Sequence, residues 1–279
     1  PLLGLSGRWF GSSRYGQILH MGLSVWDLYH WRKQRDMRRS LKNDNHRVAH
    51  WCPGTKDADR SSWQVIRPHL PGCLVLDAVP FSEHMVYLLR ENALPRILVE
   101  TQATGETAAI EFDEEAYDLA LGAMGEYDTT CLRFTYASMT TPMQTTDYDM
   151  GTGTRNLRKS QNVPSGHDPA EYVTRRITAT SHDGAEVPVS IVYHRDTPLD
   201  GSAPVLLYGY GAYGITIPAG FSVTRLSLVT RGFIYAIAHI RGGKALGHNW
   251  FMQGRGAKKP NSFKDFAADL TAPVCPLSS

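Results

Sequence analysis

The chain is poor in cysteine: Cys52, Cys73, Cys131 and Cys275 are the four among 279 residues, and no two form a C-x-x-C pair. Such spacing excludes a zinc ribbon and a disulfide framework, and it fits a reducing compartment. No apolar run approaches the roughly 18 residues of a membrane span, and no basic stretch followed by an apolar segment opens the chain. A cytoplasmic protein without a membrane partner is therefore expected. The net charge of +2 supplies no overall attraction for nucleic acid or for an anionic lipid surface. His46, His50 and Cys52 have a spacing that a metal could use, but no second ligand pair accompanies them. They read as loop residues, and neither a metal nor a cofactor is expected.

What is present suffices for a packed core, since 42% of the residues are hydrophobic and the length suits one large or two average domains. Charge is uneven. Arg32 to Arg47 holds seven Lys/Arg against Asp36 and Asp44, and Glu111 to Asp118 holds five acids in eight positions. Blocks this short read as solvated faces, and the basic one has no interleaved aromatics of the kind that stack on bases, so no nucleic-acid partner is expected.

From Ser62 to about Lys159, short extended runs alternate with turn residues: Cys73 to Val79, Met85 to Leu89, Arg96 to Glu100, Thr107 to Phe112 and Leu132 to Tyr136. This is the grammar of antiparallel β structure, with turns at Thr104-Gly-Glu and Met150-Gly-Thr-Gly, and its length suits a few four-stranded propeller blades. Residues 1–55 have no sustained periodicity and are left unassigned. Near Asp168 the character changes. Arg175 to Thr180 and Val187 to His194 flank an Asp-Gly turn as a hairpin. Pro204 to Tyr208 is a strand, Phe221 to Thr230 a helix, and Phe233 to Ile240 a strand apolar on both faces. Ser262 to Leu270 is a second helix with Ser262 as its cap. Strand, loop, helix, strand, loop, helix describes an α/β sheet, in which ligands bind at the carboxyl ends of strands.

One such end carries "YGYGAYG", Tyr208 to Gly214. Glycine permits tight backbone approach and tyrosine brings a hydroxyl donor on a rigid arm. Together they can present a proton donor to negative charge developing on an acyl oxygen. A loop of packed aromatics is the bland alternative.

"APVLLYGYGAYG", "FSVTRLSLVTRGFIYAIAHIRGG" and "NSFKDFAADL" resemble the entrance to the catalytic domain of the prolyl oligopeptidase family of serine peptidases. "YASMTTPMQTTDYDMGTGTRN" and "VTRRITATSHDGAEVPVSIVYHR" resemble the same family's last propeller strands and the crossing into its hydrolase domain, and "WQVIRPHLPGCLVLDAV" extends the likeness to Trp63. The resemblance implies a mixed β and α/β chain: an unassigned leader over 1–55, a partial β-propeller over 56–167 and the N-terminal half of an α/β-hydrolase domain over 168–279. It implies short peptides as substrates. Oligopeptidase B-type members cleave after Arg or Lys, using acidic groups in the substrate pocket. The second tyrosine of the YGYG motif, Tyr210, is the implied oxyanion-hole donor.

Three departures stand beside the likeness. No serine has glycine at both the −2 and +2 positions, so the G-x-S-x-G nucleophile elbow is missing, and the base and orienting aspartate that follow it are expected to be absent too. Where the family usually reads RGGGE, this chain reads Arg241-Gly-Gly-Lys-Ala. The opening forty residues and the closing "TAPVCPLSS" leave the family pattern, and the first residue is Pro rather than Met, as expected of a fragment. A chain inactive on its own is the expectation, and an interaction module derived from the same scaffold is the alternative.

Overall fold

A computed structural model describes residues 42–44, 47–51, 63–123 and 125–271. Its strands fall into four separate sheets. The first is a meander of β1 (Lys42–Asp44), β2 (Arg47–Trp51) and β3 (Trp63–Arg67). The second holds β4 (Cys73–Pro80), β5 (His84–Glu91), β6 (Leu94–Thr101) and β7 (Thr107–Ala109) in sequence order. The third holds β8 (Tyr117–Leu121), β9 (Cys131–Ser138), β10 (Gln144–Asp149) and β11 (Arg155–Ser160). Every pairing within these three is antiparallel.

These sheets stack face to face as the blades of a partial, unclosed β-propeller. β5 shows how the sequence specifies this. Side chains alternate across a strand, and Met85, Tyr87 and Leu89 enter a core shared with Ile66 of β3. Val86 and Leu88 enter the opposite core, which they share with Leu119, Leu132 and Phe134 of the third sheet. A strand buried on both faces needs a continuous apolar run, and "MVYLL" supplies it. In β4 the register shifts between Val75 and Asp77, so Val75 faces one core and Val79 the other despite equal parity. Each buried Val, Leu, Ile or Phe contributes about 1.5–3 kcal/mol to holding the blades together.

The fourth sheet contains β12 (Tyr172–Thr180), β13 (Glu186–His194), β14 (Val205–Gly209) and β15 (Ile234–Ala238), ordered β12-β13-β15-β14. β12 and β13 form the expected hairpin, with Gly184 in the turn at φ +81°. β14 and β15 run parallel, joined through helix α1 (Val223–Val229). Leu226 and Val229 of α1 cover Tyr235 and Ile237 on one face. After β15 come the short helix α2 (His248–Met252) and helix α3 (Pro260–Thr271). Trp250 of α2 and Phe266 of α3 pack on Ala238 and Ile240 across the other face. This is the start of an α/β-hydrolase sheet.

Several expectations need correction. β8 and β11 are additional to the runs read from the pattern, and β10 falls in the segment that only the family resemblance assigns to strands; β11 is exposed at every position, and β10 reads Gln-Thr-Thr-Asp-Tyr-Asp, so neither carries an apolar alternation. Thr107 to Phe112 yields only the three-residue β7. Ser262 does not cap its helix. α3 begins at Pro260, and the buried Ser262 hydroxyl donates to Arg241 O at 2.6 Å. β15 lies between β13 and β14, so β12 and β14 are the edges of this sheet. His46, Cys52 and most of the Arg32 to Arg47 run lie outside the described residues.

Candidate active site

The loop after β14 lies against the turn after β15, and glycine makes the approach possible. At Gly242, φ is +94°, and a Cβ there would stand 2.0 Å from Gly211 O. At Gly211, φ is +63°, and a Cβ would stand 2.6 Å from the Ile240 side chain. No other residue type fits either place. Backbone therefore meets backbone, and Gly214 N donates to Gly242 O at 2.9 Å. From the next segment Lys259 Nζ donates to Gly211 O and lies 3.2 Å from the Ser262 hydroxyl.

Tyr210 immediately precedes this packed segment, at the carboxyl end of β14, and is 42% exposed. Its hydroxyl has no hydrogen-bond partner among the described residues. Tyr213, 85% exposed, holds a left-handed backbone at φ +54°, which costs a non-glycine residue about 1 kcal/mol or more. The loop thus presents phenols outward on a rigid base.

Beneath it lies a charged cluster that composition did not reveal. Arg241, only 4% exposed, donates from Nη2 to Asp265 Oδ1 at 2.6 Å and from Nη1 to Asp183 Oδ2 at 2.6 Å. Its own amide donates to Asp265 Oδ2, and Ser181 Oγ donates to Asp265 Oδ1 at 2.6 Å. The Arg241 hydrogen bonds hold Asp183 well below the usual carboxylate range, at about 2. His182, Asp183 and Asp265 offer metal-type atoms within 4.8 Å of one another. The Arg241 guanidinium already donates hydrogen bonds to both carboxylates, so the cluster serves as an ion-pair anchor for the turn after β15.

Two arrangements look like catalytic sets and are not. Ser190 Oγ lies 2.9 Å from His239 Nε2, but both residues are buried and His239 Nδ1 has no partner to orient it. Burial first, then Arg176 and Arg90, holds this imidazole down to about 3. Ser181, His182 and Asp183 are consecutive, yet serine and aspartate both approach the same His182 Nδ1, at 3.2 and 3.9 Å, so no proton relay runs through the ring.

Ala245 stands where the family motif places its glutamate. It is buried, and its carbonyl accepts from Ala93 N in the β5–β6 turn at 3.2 Å. The position therefore docks the sheet on a blade. A cavity of about 510 Å³ lies elsewhere, between the acidic run and β12, lined by Glu114, Glu115, Thr140, Tyr172 and Arg175 among others.

Comparison with known proteins matches both halves of the chain. The prolyl oligopeptidase N-terminal beta-propeller domain matches residues 29–161, and the prolyl oligopeptidase family domain matches residues 219–272. Dipeptidyl aminopeptidase BI of Pseudoxanthomonas mexicana is 40% identical over 76% of this chain, and Protease 2 of Moraxella lacunata is 33% identical over 68%. Oligopeptidase B from Trypanosoma brucei superposes with a TM-score of 0.74 at 34% identity, over 83% of this chain and 34% of that one. The chain spans 29% and 27% of the length of the two bacterial relatives. With the strand order, the glycine-packed loop and both domain matches converging, this chain belongs to the prolyl oligopeptidase family.

Proposed function

We propose that this chain carries the oxyanion side of a serine oligopeptidase site. The exposed Tyr210 hydroxyl, unpartnered and mounted on a backbone-packed loop at a strand end, is the observation that carries this reading. In this role Tyr210 O–H donates to the acyl oxygen of a short peptide as it becomes an oxyanion. A fixed donor needs no reorganisation as charge develops, and one such donor is worth about 2.7–4 kcal/mol of barrier. The attacking serine would come from outside these 279 residues, because no serine here sits on a G-x-S-x-G turn. Residues 56–167, together with β1 and β2 ahead of them, would serve as the propeller part and 168–279 as the hydrolase part. The free thiols Cys73 and Cys131 suit a cytoplasmic setting, and no described helix is long and apolar enough to cross a membrane.

Cleavage after Arg or Lys, which the resemblance implies, requires carboxylates facing the bound side chain. No acid lies between Asp200 and Asp265, so this preference would rest on acids in other segments. The missing elbow also favours a second reading, in which the scaffold binds peptides without cleaving them.

The test is an amidase assay on the 279-residue chain with an Arg-containing chromogenic peptide, together with labelling by a serine-directed fluorophosphonate. No turnover and no labelling are expected. Turnover blocked by the reagent would show that the chain holds its own nucleophile and would overturn the assignment of half a site.

A further inference from the structure

Between Asp200 and Asp265 the sequence contains eight Lys/Arg and no acid. The fold gathers four of these cations beside the Tyr210 loop. Lys259 reaches Gly211 O. Lys244 packs against Gly214, where an added Cβ would stand 2.8 Å from Lys244 Cε. Lys244 Nζ and Arg255 Cζ lie 5.8 and 5.2 Å from the centroid of the same Phe251 ring, which puts the two charges at most about 11 Å apart. Lys258 follows in the adjoining turn and donates to Gln253 Oε1 at 2.9 Å.

None of the four meets a carboxylate among the described residues. In other parts of the chain Arg96 pairs with Glu91, Arg133 with Asp147, Arg175 with Glu115 and Arg241 with Asp265. The four are instead held by a carbonyl, an amide oxygen and an aromatic ring, all neutral partners that leave the positive charge uncompensated. Like charges gathered this way repel one another, and an incoming anion relieves the repulsion.

We propose that Lys244, Arg255, Lys258 and Lys259 form a recognition face for a carboxylate on the bound peptide, either an acidic side chain or the C-terminal group. The proposal rests on the loop being a peptide site. The rigid loop contributes placement: Lys259 and Lys244 touch it at Gly211 and Gly214, within four residues after Tyr210. A peptide whose acyl group faced Tyr210 would carry its carboxylate to one side, where charge-assisted hydrogen bonds from ammonium and guanidinium groups are available. Charge on this face selects the peptide and steers its arrival.

The test is isothermal titration of the 279-residue chain with octapeptides of one sequence bearing Glu, Gln or Lys at two positions, each as free acid and as C-terminal amide, at low and physiological salt. The Glu peptide is expected to bind at least about ten-fold more tightly than the Gln peptide, with the margin shrinking as salt rises. Lys244→Gln and, separately, the exposed Arg255→Gln should each cut that margin several-fold without lowering the thermal midpoint. The acid and amide arms tell which carboxylate is read. Equal or tighter binding of the Gln or Lys peptide overturns the proposal, as does a thymidine octamer that binds more tightly than the Glu peptide. A photoreactive residue at the centre of the Glu peptide should cross-link within residues 208–215. Cross-links elsewhere, with the charge preference intact, would sink the peptidase-site reading and leave the cationic face standing. Absence of binding by every peptide overturns both.

Discussion

Arg241 and Asp265 form a buried, two-pronged pair, with Nη2 to Oδ1 at 2.6 Å and Nε to Oδ2 at 2.9 Å. The pair ties the turn after β15 to the middle of α3 and so fixes the floor on which the Tyr210 loop rests. Removing Asp265 leaves the buried guanidinium with Asp183 as its one remaining carboxylate and takes away the acceptor of the Arg241 amide and the Ser181 hydroxyl. Asp265→Asn is expected to cost about 3–5 kcal/mol in urea unfolding. A loss under 1 kcal/mol would show that Asp183 alone suffices to hold the guanidinium.

Asp269 lies one turn further along the same helix, with neither carboxylate oxygen hydrogen-bonded among the described residues. Burial first, then the neighbouring Asp265, pushes it up to about 7. The unfolded chain releases this proton near 4 and the folded chain keeps it to about 7, so the group destabilises progressively across that interval and fully above it. Asp269→Asn should therefore raise the thermal midpoint more at about pH 8 than at about pH 4. Equal gains at both would mean that the acid finds a partner when ionised.

Gly242 sets the spacing of the loops that follow β14 and β15. Gly242→Ala forces a Cβ toward Gly211 O, which it would approach to 2.0 Å, in a left-handed backbone at φ +94°. A loss of about 3 kcal/mol or more is expected by chemical denaturation, with tyrosine fluorescence reporting a loosened loop.

Tyr210 behaves oppositely. Its hydroxyl supports nothing in the fold, so Tyr210→Phe should change stability by no more than about 0.5 kcal/mol. A larger loss would mean that the phenol is a structural group rather than a donor held in reserve.

β14 presents an unpaired edge with Val205 44% exposed and Tyr208 nearly as open. An apolar edge of this kind templates association. Light scattering should show concentration-dependent oligomers, and Val205→Lys should reduce them at equal concentration.

Legibility from the sequence followed burial. β5, β13 and β15 are apolar on both faces and could be read directly, whereas β10 and β11 are held by ladder hydrogen bonds that polar side chains do not announce. Ser262 was misread as a cap because a serine ahead of an apolar run looks the same whether it starts a helix or bonds to a neighbouring loop from inside one. The Tyr-Gly loop was legible through its glycines. The clustering of Lys244, Arg255 and Lys259 was not, since it depends on α2 and α3 folding back over β15, although the absence of acids from that stretch could have been noticed.

The position of β14 also orders events during synthesis. β12 and β13 can zip together as soon as both leave the ribosome, but β14 finds its neighbour only in β15, which is translated after α1. At roughly 5–20 residues per second, "VLLYG" waits on the order of seconds as a solvent-facing, chaperone-accessible segment before its first backbone partner exists.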